Sequence, residues 1–124
     1  MLIRVLVADD NDTLRSVIVR VLKEDADLRV VGEATTFAQT VELTTALKPD
    51  VLLLDLLMPD ENAFSPGDLK LQLLHGAGCI LAMSIWNGDD ARARADSLGA
   101  KALLDKGRLL PDLIPSIKLF CPLR

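Results

Sequence analysis

Val51-Leu52-Leu53-Leu54-Asp55 carries four apolar residues straight into a carboxylate, with Lys48-Pro49-Asp50 ahead of it and Leu56-Leu57-Met58-Pro59 behind. A short unbroken apolar run reads as a strand covered on both faces, because a half-exposed strand would alternate polar and apolar residues. Outward from this run, the same kind of segment recurs. Leu2 to Ala8 reads as the first strand, Leu28 to Glu33 as the second, Cys79 to Ser84 as the fourth and Lys101 to Asp105 as the fifth. Between them lie helical patterns. Leu14, Val17, Ile18, Val21 and Leu22 recur at helical spacing from Asp12 to Asp25, opposite Arg15, Arg20, Lys23 and Glu24. Phe37 to Leu47 reads as a second helix with Phe37, Val41 and Leu47 inward, and Pro49 lies just past its end. Ser65-Pro66 has the form of an N-cap followed by proline in the first turn, opening a helix to about His75. Asp89 to Leu98 is a helix closed by Gly99. In the last helix Pro115 interrupts the Leu110, Leu113, Ile114, Ile117 pattern and should kink or delay it.

Strands alternating with helices require right-handed crossovers, so the expected fold is α/β: a doubly wound five-stranded parallel sheet flanked by helices. The 124 residues suit one domain over 1–124. A net charge of −4 lacks the basic footprint of nucleic-acid binding, so no direct nucleic-acid contact is expected. No apolar run approaches the about 20 residues that cross a bilayer, and Met1 leads into a strand-like segment without a signal-peptide pattern. A cytoplasmic protein with no membrane contact is expected. The two cysteines, Cys79 and Cys121, form no framework; Cys79 lies in an apolar run and reads as a buried free thiol. His75 is the only histidine and has no partner at ligand spacing.

In an open α/β sheet, sites form beyond the carboxyl ends of the strands. Here those ends carry Asp9-Asp10, Asp55, Ser84 and Asp105-Lys106. Three carboxylates on one edge would repel one another unless a cation were present, and hard oxygen ligands suit Mg²⁺. A carboxylate can attack phosphorus, and the transferring group then needs positive charge and hydrogen-bond donors around it. Lys106 supplies the charge and Ser84 a hydroxyl. Each piece has a plainer reading by itself: Asp10-Asn11-Asp12 could be only a helix cap, Asp55 loop punctuation, and Lys106 a solvated charge. Their joint occurrence at successive strand ends is what points to phosphoryl chemistry.

With these residues in place, the sequence resembles the receiver domains of bacterial response regulators over essentially its whole length. The resemblance rests on Val5 to Asp10, Val30 to Ala34, Lys48 to Pro59 and Leu98 to Ala102. Asp27 to Ala34 looks most like the subgroup that often precedes a helix-turn-helix DNA-binding output domain. It implies the flavodoxin-like receiver fold, and a protein that is no enzyme beyond its own phosphorylation and dephosphorylation. It further implies that Asp55 takes a phosphoryl group from a histidine kinase or phosphotransfer protein and signals to a downstream protein or output domain, with a homodimer left open. Asp10 would bind Mg²⁺ directly, Asp9 through water and Leu57 through its backbone carbonyl. Ser84 would hydrogen-bond the phosphoryl oxygen, and Lys106 would pair with it.

The sequence departs from the family pattern at four positions. Leu103 stands where an aromatic residue usually reorients with the hydroxyl residue, so the switch pair here is Ser84 and Leu103. Gly107 follows Lys106 in place of a cis-proline, and that peptide is expected to be trans. Ala63 replaces a common glycine, which allows Asp60 to Ser65 another path, and Ile85 replaces a small residue and could narrow access to Asp55. Leu57 and Trp86, at positions that border the path of hydrolytic water in the family, cannot orient water. Two other classes stay open: a receiver-like interaction module that does not depend on phosphorylation, and a phosphatase with an Asp nucleophile. The second wants a carboxylate two residues past the nucleophile, where Leu57 stands.

Overall fold

The computed structural model describes residues 2–123. Its strands are β1 (Ile3–Ala8), β2 (Leu28–Ala34), β3 (Val51–Asp55), β4 (Cys79–Ser84) and β5 (Ala102–Asp105). They pair in parallel in the order β2-β1-β3-β4-β5. The helices are α1 (Asp12–Lys23), α2 (Phe37–Leu47), α3 (Pro66–Gly76), α4 (Asp89–Ser97) and α5 (Leu109–Phe120). This is the doubly wound five-stranded sheet expected. The chain leaves β1 toward one edge to form β2, then crosses to the other side of β1 for β3. That reversal opens a crevice above the carboxyl ends of β1 and β3.

The apolar runs are buried on both faces because alternate residues feed two cores. Val5, Val7, Leu53, Leu81 and Met83 pack with Ile18 and Leu22 of α1 and Leu113 and Ile117 of α5. Leu6, Leu52, Leu54 and Ile80 pack on the opposite face with Phe37, Leu69, Leu73 and Leu98. Helix starts follow the local signals. Asn11 accepts from the Leu14 N–H at 2.9 Å, Thr36 from Gln39 at 3.0 Å, and Ser65 from Asp68 at 3.2 Å, with Pro66 in the first turn. Gly99 follows α4 at φ +84°, a left-handed conformation that favours glycine.

Three expectations are corrected. Cys79 is not a free thiol: it is disulfide-bonded to Cys121, 42 residues away. The start of β4 and the end of α5 lie side by side with a Cα–Cα distance of 5.7 Å, inside the range a disulfide spans, and only the tertiary fold creates that proximity. Pro115 does not delay α5, which starts at Leu109 and runs continuously through it. Leu109, Leu113, Ile117 and Cys121, four residues apart, are all buried along one side and hold the helix across the missing N–H. On α2, Phe37 is buried and the half-buried Val41 packs against the same core as expected, but the fully buried positions further along are those of Thr40 and Thr44, with Leu47 only half-buried. The Thr40 hydroxyl donates to the Thr36 carbonyl at 2.6 Å, which makes a polar side chain tolerable there.

Small side chains on this face let α2 and α3 approach closely. A Cβ at Gly76 would collide with the Thr44 carbonyl, a backbone atom that cannot yield. Gly76→Ala should therefore destabilise the fold by about 1–3 kcal/mol, measured as a lower urea midpoint with unchanged slope.

Candidate functional site

Four strand ends supply the site, and each side chain is aimed by a local device. Asp9 follows the last residue of β1 and is fully buried; its Oδ1 accepts from the Asn11 N–H at 2.8 Å. Asp55 closes β3 with 4% exposure, and its Oδ1 accepts from the Leu57 N–H at 3.1 Å. Ser84 closes β4, also buried, and its Oγ accepts from the Trp86 N–H at 2.9 Å. Lys106 follows β5 in a short 3-10 turn, Lys106–Arg108, which Asp105 caps by accepting from Gly107 N–H at 2.8 Å. Among the described residues no peptide is cis, so the Lys106–Gly107 bond is trans as expected.

The strand order brings these ends together. Lys106 Nζ lies 2.9 Å from Asp9 Oδ2 and 3.1 Å from Asp55 Oδ2. Oxygens of Asp9, Asp10 and Asp55 lie within 4.8 Å of one another, with Asp10 exposed to solvent. Asp9 Oδ2 faces Lys106 without hydrogen-bond alignment, which leaves a buried anionic oxygen able to take a further partner. A hard divalent cation fits this set, because carboxylates are its preferred ligands and its charge would relieve their repulsion. Ser84 lies beside Asp55 through the register: Asp55 pairs with Met83, so Ser84 stands one residue further along the neighbouring strand.

Burial pushes the Asp55 carboxyl up to about 7; Asp9 acts in the same direction, and the Leu57 N–H and Lys106 act against it. Burial opposes the Lys106 charge too, but its attraction to Asp9 and Asp55 prevails and holds the ammonium above its ordinary value. Without an added cation, then, two carboxylates share one lysine and one of them is close to taking a proton.

Of the residues at the departures, Leu103 is half-buried and lines a groove of about 410 Å³ between α4 and β5 with Asn87, Arg92 and Ala95. Ile85 and Trp86 are exposed and line a second groove of about 630 Å³ beside Ser84, Leu57 and Arg94. The Asp60 to Ser65 segment makes a 3-10 turn, Glu61–Ala63.

The chain matches the model of the response regulator receiver domain over residues 5–118. It belongs to that family. The receiver is 33% identical over 118 residues to the response regulator GacA of Pseudomonas viridiflava, covering 95% of this chain and 55% of that protein. It is 34% identical over 113 residues to the nitrate/nitrite response regulator protein NarL of Escherichia coli K12, covering 91% and 52%. The chain thus spans about half the length of these relatives. Its structure superposes on the response regulator domain of Thermotoga maritima CheB with a TM-score of 0.84 at 25% identity, covering 100% of this chain and 99% of that one.

Two residues that hold the receiver's site together were not singled out from the sequence. Arg15, which looked like part of the polar face of α1, turns inward. It donates to the Asp9 carbonyl at 2.8 Å, to Asp12 at 2.7 Å and to Glu33 at 3.1 Å, tying α1 and β2 to the acidic end of β1. Asp60 accepts from the Phe37 and Ala38 N–H groups at 2.8 and 3.0 Å, anchoring the loop after Asp55 to the start of α2. An acidic residue just past Met58-Pro59 was the one available signal for the second; Arg15 offered none.

The raised Asp55 pKa sets a pH dependence. Above about 7 the folded protein holds a buried carboxylate that the unfolded chain would solvate, whereas below about 4 both states are protonated. The folded state therefore loses stability as pH rises from about 4 to 7. In the presence of a chelator, Asp55→Asn should stabilise the protein by on the order of 2 kcal/mol at pH 8, with the gain shrinking toward zero at pH 4, read from thermal melts across that range.

Proposed function

We propose that this receiver accepts a phosphoryl group on Asp55 from the phosphohistidine of a histidine kinase or phosphotransfer protein, in a Mg²⁺-dependent reaction. The modified state then presents a changed surface to a downstream protein or output domain within a cytoplasmic phosphorelay. The observation that carries this reading is the buried Asp55 carboxylate held 3.1 Å from Lys106 beside Asp9 and Asp10. An Asp55 oxygen forms the bond to phosphorus as the P–N bond of the donor breaks, and that bond's electron pair stays on the leaving imidazole nitrogen. Asp9, Asp10, Asp55 and the Leu57 carbonyl would hold Mg²⁺, which when bound neutralises charge on the phosphoryl oxygens. Lys106 stays on the same side and exchanges part of its pairing with carboxylates for pairing with phosphate. Ser84 gives up the Trp86 N–H and donates its hydroxyl to a phosphoryl oxygen, which draws the loop from Ile85 to Gly88 toward the site.

Leu103, Gly107 and Ile85 favour one alternative, a receiver-like interaction module that binds partners without phosphorylation. Beryllofluoride with Mg²⁺ separates the two. Chemical-shift changes spreading from Asp55 through residues 85–108 support the switch, and absence of binding supports the module.

Incubation with a phosphodonor and Mg²⁺ should add one phosphoryl mass to the wild type and none to Asp55→Ala; a gain that survives the substitution overturns the assignment. Leu57 and Trp86 are 45% and 64% exposed with apolar side chains, so neither orders a water for attack on the phosphoaspartate. Self-dephosphorylation should be slow. The Leu57→Asn, Trp86→Glu double variant should shorten the phosphoryl half-life by about 10²-fold, the low end of a general acid–base contribution, in a phosphate-release time course.

A further inference from the structure

The peptide group joining Leu56 to Leu57 is hydrogen-bonded from both sides. Its N–H donates to Asp55 Oδ1 at 3.1 Å, and its carbonyl accepts from Arg94 Nε at 3.3 Å. A peptide group is a rigid plane with its C=O and N–H pointing in opposite directions, so fixing the carbonyl also fixes the direction of the N–H. Arg94 comes from α4 and is itself held in place. Its guanidinium stands 5.8 Å from the centre of the Phe37 ring and 3.8 Å from Glu61 Oε2, and its side chain is only 27% exposed. The segment it reaches has left the sheet: the Leu56 N–H still donates to the Met83 carbonyl at 3.1 Å, and the next backbone bond is Glu61 N–H to Met58. The main chain between those bonds is steered by side chains.

We propose that Arg94 is a positioning residue for the Asp55 carboxylate, acting through the Leu56–Leu57 peptide. This rests on Asp55 being the phosphoacceptor. A carboxylate that must attack phosphorus in line cannot be free to rotate. Lys106 holds Oδ2 and the Leu57 N–H holds Oδ1, so the plane of the group is set by two donors on different elements. A cation bound to the carbonyl of the donor peptide also polarises its N–H, because hydrogen bonds in a chain strengthen one another. Arg94 therefore contributes orientation and donor strength without touching the reacting atoms. Its branched, planar head reaches the Leu56 carbonyl, Glu61 and the Phe37 face together, which a lysine does less well.

The test uses ¹⁵N-labelled wild type, Arg94→Lys and Arg94→Met, with Arg94→Gln in reserve if the methionine variant does not fold. The Leu57 amide is followed by chemical shift and hydrogen exchange, and phosphorylation by acetyl phosphate with saturating Mg²⁺ is timed by mass spectrometry. In Arg94→Met the Leu57 amide proton should move upfield and exchange roughly three to ten times faster, as expected for one weakened hydrogen bond, while amides in β2 and α1 stay in place. The phosphorylation rate should fall by a similar factor, and Arg94→Lys should recover part of both. A Leu57 amide that does not move in Arg94→Met overturns the proposal, whatever happens to the rate. An amide that moves while the rate holds within twofold overturns it as well. Failure of the wild type to take up phosphate instead removes the premise that Asp55 is the acceptor, and is seen separately from the amide readout.

Discussion

Lys106 stands between two buried carboxylates, and the upper edge of the sheet is organised around that bridge. Asp9 and Asp55 end adjacent strands, so their charges are forced together by the same hydrogen bonds that build the sheet. Two ionised carboxylates at such a distance are unstable without a cation. The lysine that supplies it comes from β5, which pairs with β4 and not with β3 or β1. A long side chain, started in the right direction by the Asp105 cap of the 3-10 turn, crosses that gap. With one lysine against Asp9, Asp10 and Asp55, the ionised cluster is two positive charges short of neutral, a deficit that a divalent cation matches.

The loop after Asp55 is the second constrained feature. It leaves the sheet carrying the Leu57 N–H that binds Asp55, and it would be loose if it ran over the surface alone. Asp60 ties it to the start of α2 and Arg94 ties it to α4, while Phe37 lies at the same junction, with Phe64 edge-on to it at 6.2 Å. Two helices on one face of the sheet, α2 and α4, thus converge on the few residues that follow Asp55. The half-buried Leu103 and the groove beside it, between α4 and β5, lie on the same face.

The layered fold was legible in the linear chain, and so was the placing of Asp9, Asp10, Asp55, Ser84 and Lys106 at the carboxyl edge of the sheet. Buried parallel strands must be apolar throughout and must end where polar chemistry begins, so unbroken runs such as Val51 to Leu54 announce both the strand and the position of the carboxylate after it. Local capping chemistry placed the starts of α1 and α3 and the end of α4, because those signals act within a few residues. What only the tertiary structure decided were contacts between residues far apart in sequence. Cys79 meets Cys121 because the start of β4 and the end of α5 lie side by side. Thr44 is buried where Gly76 of α3 packs against it, and Pro115 is tolerated because one side of α5 is anchored along its length. Arg15 lies on the polar side of the α1 pattern and Arg94 in no motif; each turns inward to a backbone carbonyl that becomes available only when the strands are in register. Periodicity and capping report what a residue does with its near neighbours, and the choice of partner for a long polar side chain is made by the fold as a whole.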